Sequence, residues 1–212
     1  MLSKTIKSVL VSIIILFLLT PSGSAPGKAN QTSTVKITID AGHGGHDPGS
    51  IVSGITEKSI NLQIALKIKE LGEKHPGLDF AFTRTTDSYI PLLDRLEYAE
   101  RHGSAGYLSV QANSFWDPDV DGVETILDRT RAQGGASWDM ANLIQESIVS
   151  STGARDRGLR YQRLYTRHTN IPSAVLEVGF LTSPSERRRL TSLNYQESVA
   201  RGIIQGLLIF FS

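Results

Sequence analysis

The sequence predicts a layered α/β domain, because segments of strand character alternate along the chain with segments of helical periodicity. The segment 173–178 is almost continuously apolar, which is typical of a central strand buried on both faces. A length of 212 residues suits one domain. A composition of 40% hydrophobic and 20% charged residues is that of a globular protein and argues against a disordered or fibrous chain.

The first half of the domain begins with a strand and a helix joined by a glycine-rich loop. Residues 35–40 alternate polar and apolar side chains with β-branched enrichment, which predicts a strand that runs into the loop 41–54. Apolar residues recur near helical spacing over 59–71, and Gly72 ends that helix. The next elements are a strand, an amphipathic helix and a strand, at 78–83, 92–101 and 107–110.

The second half continues the alternation and closes with a long helix. Its apolar stripe, which includes Val199, Ile203 and Leu207, predicts packing against the core. The elements predicted here are a strand at 123–127, a helix at 138–149, a short strand near Arg163–Tyr165, the apolar strand at 173–178, a short helix around 185–189 and the closing helix at 194–210.

Residues 1–29 have the pattern of a secretory signal peptide. Lys4 and Lys7 precede an apolar run at 9–19, and a stretch of small residues and prolines leads to Ala29, after which cleavage is expected. The run is much shorter than the roughly 20 apolar residues that span a bilayer, so no stable membrane anchor is predicted. We expect a secreted protein with a short leader, 30–34, and one catalytic domain, 35–212.

Charge and cysteine content exclude several classes of function. Residues 1–29 carry three lysines and no acid, so the remainder has 19 basic and 21 acidic residues and a net charge of −2. That balance argues against a general nucleic-acid-binding protein. The sequence contains no cysteine, which excludes disulfides, thiolate nucleophiles and Cys-ligated metals. A metal site would have to use histidine, carboxylate or amide donors.

Four polar features of the predicted elements are candidates for chemistry, and one of them is Gln111-Ala-Asn113-Ser114, directly after the strand at 107–110. His43 lies in the glycine-rich loop, which lacks the Gly-Lys-Ser/Thr of a phosphate loop, so His43 is either a metal ligand or a loop residue bonded to backbone. Glu57 precedes a helix, where its carboxylate either interacts favourably with the helix dipole or binds a metal ion. Glu177 interrupts an apolar strand, where a carboxylate needs either an ion-pair partner or a role as a general base of raised pKa.

The chain resembles the zinc-dependent N-acetylmuramoyl-L-alanine amidases, which are bacterial cell-wall hydrolases. The resemblance covers nearly all of the chain after the signal segment. It rests on several motifs in one order, namely Ile39-Asp-Ala-Gly-His-Gly-Gly-His-Asp-Pro-Gly49, Glu57, Thr83-Arg84-Thr-Thr-Asp87, Leu92-Leu-Asp-Arg95, Leu108-Ser-Val-Gln-Ala-Asn-Ser114 and Pro172-Ser-Ala-Val-Leu-Glu-Val-Gly-Phe-Leu181.

The resemblance implies a fold, a reaction and a set of site residues. The fold is a single three-layer α/β domain with a mixed, roughly six-stranded sheet flanked by helices. The reaction is cleavage of the amide between N-acetylmuramic acid and the L-alanine of the peptidoglycan stem peptide by zinc-activated water. His43 and Glu57 match two zinc ligands, and Glu177 matches the catalytic glutamate. Asn113 and Trp116, near the third ligand position, are expected to contact the substrate.

The sequence departs from the family pattern at the third zinc ligand. Where the family has histidine in a Ser-x-His-x-Asn segment, this chain has Gln111 between Ser109 and Asn113. Gln111 could ligate zinc weakly through its amide oxygen, or another group such as His46 could complete the shell. The alternative is a zinc-poor relative that binds peptidoglycan, or regulates another hydrolase, without cutting. A zinc peptidase acting within the stem peptide is a third possibility.

One local basic cluster lies outside the site motifs. It is interleaved with tyrosines and comprises Arg155, Arg157, Arg160, Arg163 and Arg167. A solvated surface is the first interpretation, and a rim that attracts anionic groups of the wall is the second. Peptidoglycan is the expected partner, and the protein is expected to be a monomer.

Overall fold

A computed structural model of the protein describes residues 34–212, so the predicted signal peptide and most of the leader lie outside the described residues. The elements, in chain order, are β1 Val35–Ala41, β2 Ile51–Val52, β3 Ile55–Thr56, α1 Glu57–Gly72, β4 Leu78–Phe82, α2 Leu92–Arg101, β5 Gly106–Asn113, β6 Val123–Asp128, α3 Ala136–Thr152, β7 Asp156–Gln162, a 3-10 helix Tyr165–His168, β8 Ser173–Phe180, α4 Pro184–Leu190 and α5 Leu193–Phe210.

The main sheet has six strands in the order β4-β1-β5-β8-β6-β7. Only the β6–β8 pairing is antiparallel, so the sheet is mixed, as expected. The apolar strand β8 is interior, which agrees with its lack of polar alternation. Helices α1, α3 and α5 cover one face, where their apolar side chains pack on Ile39, Val110 and Leu176 to form the hydrophobic core. Helix α2 and the 3-10 helix lie on the other face.

The face opposite the core is polar, and strand register brings its polar residues together. Asp40 on β1 pairs with Ser109 on β5, and Gln111 on β5 pairs with Glu177 on β8. Glu177 in turn pairs with Glu124 on β6. Because laterally paired residues point to the same side of a sheet, these side chains share one face. The polar residues that interrupt the strands therefore converge at one place.

Two predictions about strands are wrong or incomplete. The strand expected near Arg163–Tyr165 is wrong, because the strand β7 ends at Gln162 and a 3-10 helix follows. Strand β7 is an exposed edge strand with an irregular register and a left-handed glycine, Gly158, so it lacks the apolar alternation that reveals a strand. Strand β5 extends past the predicted end through Asn113, and a small hairpin, β2–β3, begins in the glycine-rich loop and ends just after it.

Within residues 34–212, none of the helices combines the length and the apolar character that crossing a membrane would require.

Candidate active site

The glycine-rich loop that carries His43 is held in place by buried arginines. Arg95 on α2 forms a buried ion pair with Asp40, with 2.8 Å between Nη1 and Oδ1, and its Nη2 donates to the His43 carbonyl at 2.9 Å. Arg84, just after β4, donates to the carbonyls of Ala41 and Gly42. These contacts support His43 at a φ of 59°, a left-handed conformation that non-glycine residues rarely adopt.

His43 lies between two carboxylates. Its Nε2 is 3.2 Å from Glu57 Oε1, and its Nδ1 is 2.8 Å from Asp47 Oδ2. The hydrogen bond to Glu57, with further help from the charge of Glu57 and from Asp47, raises the pKa of His43 to about 9, although burial acts in the opposite direction. The imidazole is therefore protonated at neutral pH when no metal is bound.

Glu57 is fixed at the start of α1 by backbone donors. The amide of Ser50 donates to its Oε2 at 3.0 Å, and the amide of Ala112 lies 3.3 Å from its Oε1. Gly49 allows this close packing, since a Cβ there would lie 2.7 Å from both Glu57 Oε2 and His43 Cδ2. The loop can thus bring its backbone against both side chains only because residue 49 is glycine.

Glu177 is a carboxyl group with an unusual environment. Its Oε2 is shielded from solvent and finds no hydrogen-bond partner among the described residues. Burial raises the pKa of Glu177 to about 8, and the neighbouring carboxylates of Glu57 and Glu124 contribute to the rise. A carboxyl group that holds a proton near neutral pH inside a cleft is suited to general acid–base catalysis.

Gln111 lies in the same region, but its side-chain amide is occupied by hydrogen bonds. Its Oε1 accepts from Asn61 Nδ2 at 3.2 Å, and its Nε2 donates to Ser109 Oγ at 3.1 Å. Ser109 Oγ in turn donates to Asp40, which fixes the sense of the chain of hydrogen bonds. The amide packs directly over Gly42, where a Cβ would overlap it. Asn61 already uses one lone pair of Oε1, so a metal ion could take only the remaining lone pair of that oxygen.

All the predicted site residues except Trp116 line one open cleft of about 290 Å³. Its lining consists of His43, Ser50, Glu57, Gln111, Asn113, Ser114, Leu164, Tyr165, Val175 and Glu177. Asn113 Nδ2 donates to Glu124 Oε1 at 3.1 Å at one side. Trp116 is outside this lining and 85% exposed, and His46 packs against the ring of Tyr89.

Sequence reasoning missed the residues that support the site. Asp47, Asn61, Arg84 and Arg95 contact either the loop or the candidate ligands, but none was chosen as a site residue. A signal was available for Arg95, because a long charged side chain in one motif could have been expected to pair with Asp40 in another. Arg84 donates to backbone carbonyls, which no charge pattern in the sequence reveals. Within residues 34–212, no group of three or more histidine and carboxylate side chains is placed to hold a metal ion.

A family model and a curated relative that match this chain both carry the same description. The family model described as N-acetylmuramoyl-L-alanine amidase matches residues 37–208. The sporulation-specific N-acetylmuramoyl-L-alanine amidase of Bacillus subtilis (strain 168) is 31% identical over 183 residues, covering 82% of this chain and 67% of that protein.

Two solved structures are similar across most of the chain. The N-acetylmuramoyl-L-alanine amidase from Clostridium difficile 630 has a TM-score of 0.80 and 34% identity, covering 84% of this chain and 97% of its own. The catalytic domain of CwlV, an amidase of the same name from Bacillus (Paenibacillus) polymyxa, has a TM-score of 0.78 and 33% identity, covering 84% and 98%.

Proposed function

Because this chain belongs to the N-acetylmuramoyl-L-alanine amidase family, we propose that it hydrolyses peptidoglycan at the amide between N-acetylmuramic acid and the L-alanine of the stem peptide. The observation that carries the proposal is the convergence of His43, Glu57 and a proton-holding Glu177 on one cleft. The proposed reaction uses the zinc ion that the family resemblance implies.

Two candidate ligands suit zinc. Ligands of a tetrahedral zinc at about 2.0–2.1 Å lie about 3.3 Å apart. The distance between His43 Nε2 and Glu57 Oε1 is 3.2 Å, so these atoms are spaced like one edge of such a site. Asp47, bonded to the far nitrogen of His43, matches the carboxylate that commonly orients a metal-binding imidazole. His43 and Glu57 would therefore hold the ion.

The chemistry divides between the ion and the protein. A bound zinc would lower the pKa of its water to about 7 and polarise the substrate carbonyl. Glu177 would take the proton from the attacking water and return it to the departing alanine nitrogen. The buried and acidic surroundings of Glu177, which raise its affinity for a proton, favour the first transfer, in which Glu177 takes the proton from water. Asn113, at the edge of the cleft, would contact the substrate.

Gln111 supports a second candidate function. Zinc binds weakly to amide oxygens, and Gln111 Oε1 already accepts from Asn61, so Gln111 would add little to the two ligands His43 and Glu57 and the zinc affinity would be low. A protein that loses zinc but keeps the cleft would bind peptidoglycan without cutting it. A Gln111→His variant is expected to bind zinc more tightly than the parent protein, as measured by competition with a chromophoric chelator.

Turnover on cell-wall sacculi separates the two candidates. An amidase releases L-alanine amino termini without new reducing ends, and the product mass excludes cleavage within the peptide. The purified protein, assayed with added zinc, should release these termini, whereas Glu177→Gln should bind sacculi but release none. Pull-down by sacculi with no release in either protein, at saturating zinc, would favour the non-catalytic binder.

We also propose that the protein acts outside the cytoplasmic membrane. The support is the pattern of residues 1–29, with lysines before an apolar run and small residues before Ala29. Amino-terminal sequencing of the protein recovered from the culture medium or cell wall should begin at Asn30. Recovery from the cytosol with residues 1–29 intact would contradict this.

A further inference from the structure

The edge strand β7 carries an arginine on the same side of the sheet as the cleft. Arg160 pairs with Ile126 on β6, and Ile126 pairs with Val175 on β8. Because laterally paired residues share a face, Arg160 lies on the side of the sheet to which Val175 belongs. Val175 forms part of the cleft lining. Arg160 therefore lies on the cleft side of the sheet, two strands away from Val175.

Arg160 supplies a positive charge that its neighbours do not neutralise. Glu124 is buried and accepts from Asn113 at 3.1 Å through Oε1 and from Arg157 Nε at 2.8 Å through Oε2. Arg157 thus balances the charge of Glu124. Arg160 is only loosely associated, with Nε 3.9 Å from the same Oε2, and its side chain is 53% exposed. Its guanidinium is available to an anion entering from the cleft.

The spacing of the sheet indicates which part of a substrate could reach it. Two strand spacings separate β8 from β7, a distance of about 10 Å. An extended peptide spans about 10 Å in roughly three residues. The lactyl carboxyl of N-acetylmuramic acid is consumed in the scissile amide, so negative charge near that bond comes from the peptide. Glu177 and Val175 both line the cleft, and Arg160 lies one short peptide away from Val175.

We propose that Arg160 binds a carboxylate of the stem peptide, two or three residues beyond the scissile amide, and so makes the site selective for peptides that are not amidated there. The inference rests on the proposed function, because it assumes that the stem peptide extends from Glu177 toward β7. Guanidinium and carboxylate form charge-assisted hydrogen bonds of matched geometry, which a carboxamide reproduces only weakly.

Binding to uncleaved peptide tests the proposal without requiring turnover. Glu177→Gln protein is titrated by calorimetry with a muramyl tripeptide carrying free carboxylates at its second and third residues, and with the same compound as carboxamides. We expect about fivefold tighter binding of the carboxylate form, the ratio that corresponds to a charge pair of about 1 kcal/mol. Adding Arg160→Gln should abolish this preference, and 0.5 M salt should reduce it.

Arg201→Gln is the matched control, since Arg201 is similarly exposed at 59% but lies on α5, across the sheet from the cleft. It should leave the preference unchanged. Equal binding of the two peptides, absence of binding, or a preference that survives Arg160→Gln would overturn the proposal. Failure of the parent protein to hydrolyse sacculi, with the Arg160-dependent preference intact, would refute the amidase function and leave the subsite standing.

Discussion

Replacing Glu177 by glutamine should slow hydrolysis by orders of magnitude and also change how the stability of the metal-free fold depends on pH. Burial raises the pKa of Glu177 from 4.5 to about 8 in the folded protein. Between these values the unfolded chain loses the proton that the folded chain keeps, so the free energy of unfolding falls as pH rises. The slope is about 1.4 kcal/mol per pH unit. Below pH 4.5 both states are protonated, and above about pH 8 the loss is complete.

The effect of Glu177 on the free energy of unfolding is best measured between pH 5.0 and 6.5. His43, whose pKa rises from 6.5 to about 9, stays protonated in the folded protein, whereas in the unfolded chain it is half deprotonated at pH 6.5. It therefore adds only about 0.4 kcal/mol to the loss, and it adds this in both proteins. Glu177 alone would then cost about 2 kcal/mol across the window, or about 1–2 kcal/mol after allowing for the solvent-facing part of its side chain. Glutamine cannot ionise, so the variant should lack this loss.

Urea unfolding in the presence of a chelator measures the difference directly. The parent protein and Glu177→Gln are unfolded at pH 5.0 and 6.5, and the change in the free energy of unfolding is compared. Carboxylates elsewhere contribute equally to both proteins and cancel. On sacculi with zinc, the variant should lose about 10²–10⁴-fold in kcat, the range typical of a lost general base. Identical pH slopes in the two proteins would refute a raised pKa at Glu177.

Three further outcomes follow from the site. Asp47→Asn should weaken zinc binding about 10- to 100-fold by calorimetry, because Asp47 orients His43, and an unchanged affinity would exclude that role. Zinc affinity should rise about tenfold from pH 7 to 8, because the ion must displace the proton that His43 holds up to about pH 9, and a flat profile would exclude His43 as a ligand. Arg95→Met should destabilise the fold by about 3–5 kcal/mol in urea, because it leaves the charge of Asp40 buried and unpaired. The exposed Arg101→Met on the same helix is the control, and equal losses in both would contradict the argument.

Periodicity predicted most of the elements because their local pattern reflects burial on one face. Helix 92–101 was predicted with the bounds that the structure gives α2, and the apolar segment 173–178 is most of the interior strand β8. The pattern failed at β7, where both faces are partly exposed and the residues are mostly polar. Strand β7 is held in the sheet by its backbone hydrogen bonds to β6 and does not need a buried apolar face. Its sequence therefore lacks the alternation of apolar and polar residues that predicts a strand.

The sequence predicted which residues form the candidate site but not how they contact and influence one another. The sequence placed His43 in a glycine-rich loop, Glu57 at a helix start and Glu177 in an apolar strand, and the structure brings all three to one cleft. Their protonation could not be read from the chain, because the pKa of Glu177 depends first on its burial and then on Glu57 and Glu124, which lie on a helix and another strand.

By itself, the sequence determined which side chains could do chemistry and which class of fold would carry them, since both follow from residue type and local spacing. Only the tertiary structure decided what each side chain contacts. The side-chain amide of Gln111 is hydrogen-bonded to Asn61, a residue 50 positions away. Arg160 lies near the cleft because three strands pair in a particular register. Such contacts depend on strand order and register, which are set by the packing of the whole core and not by any local segment.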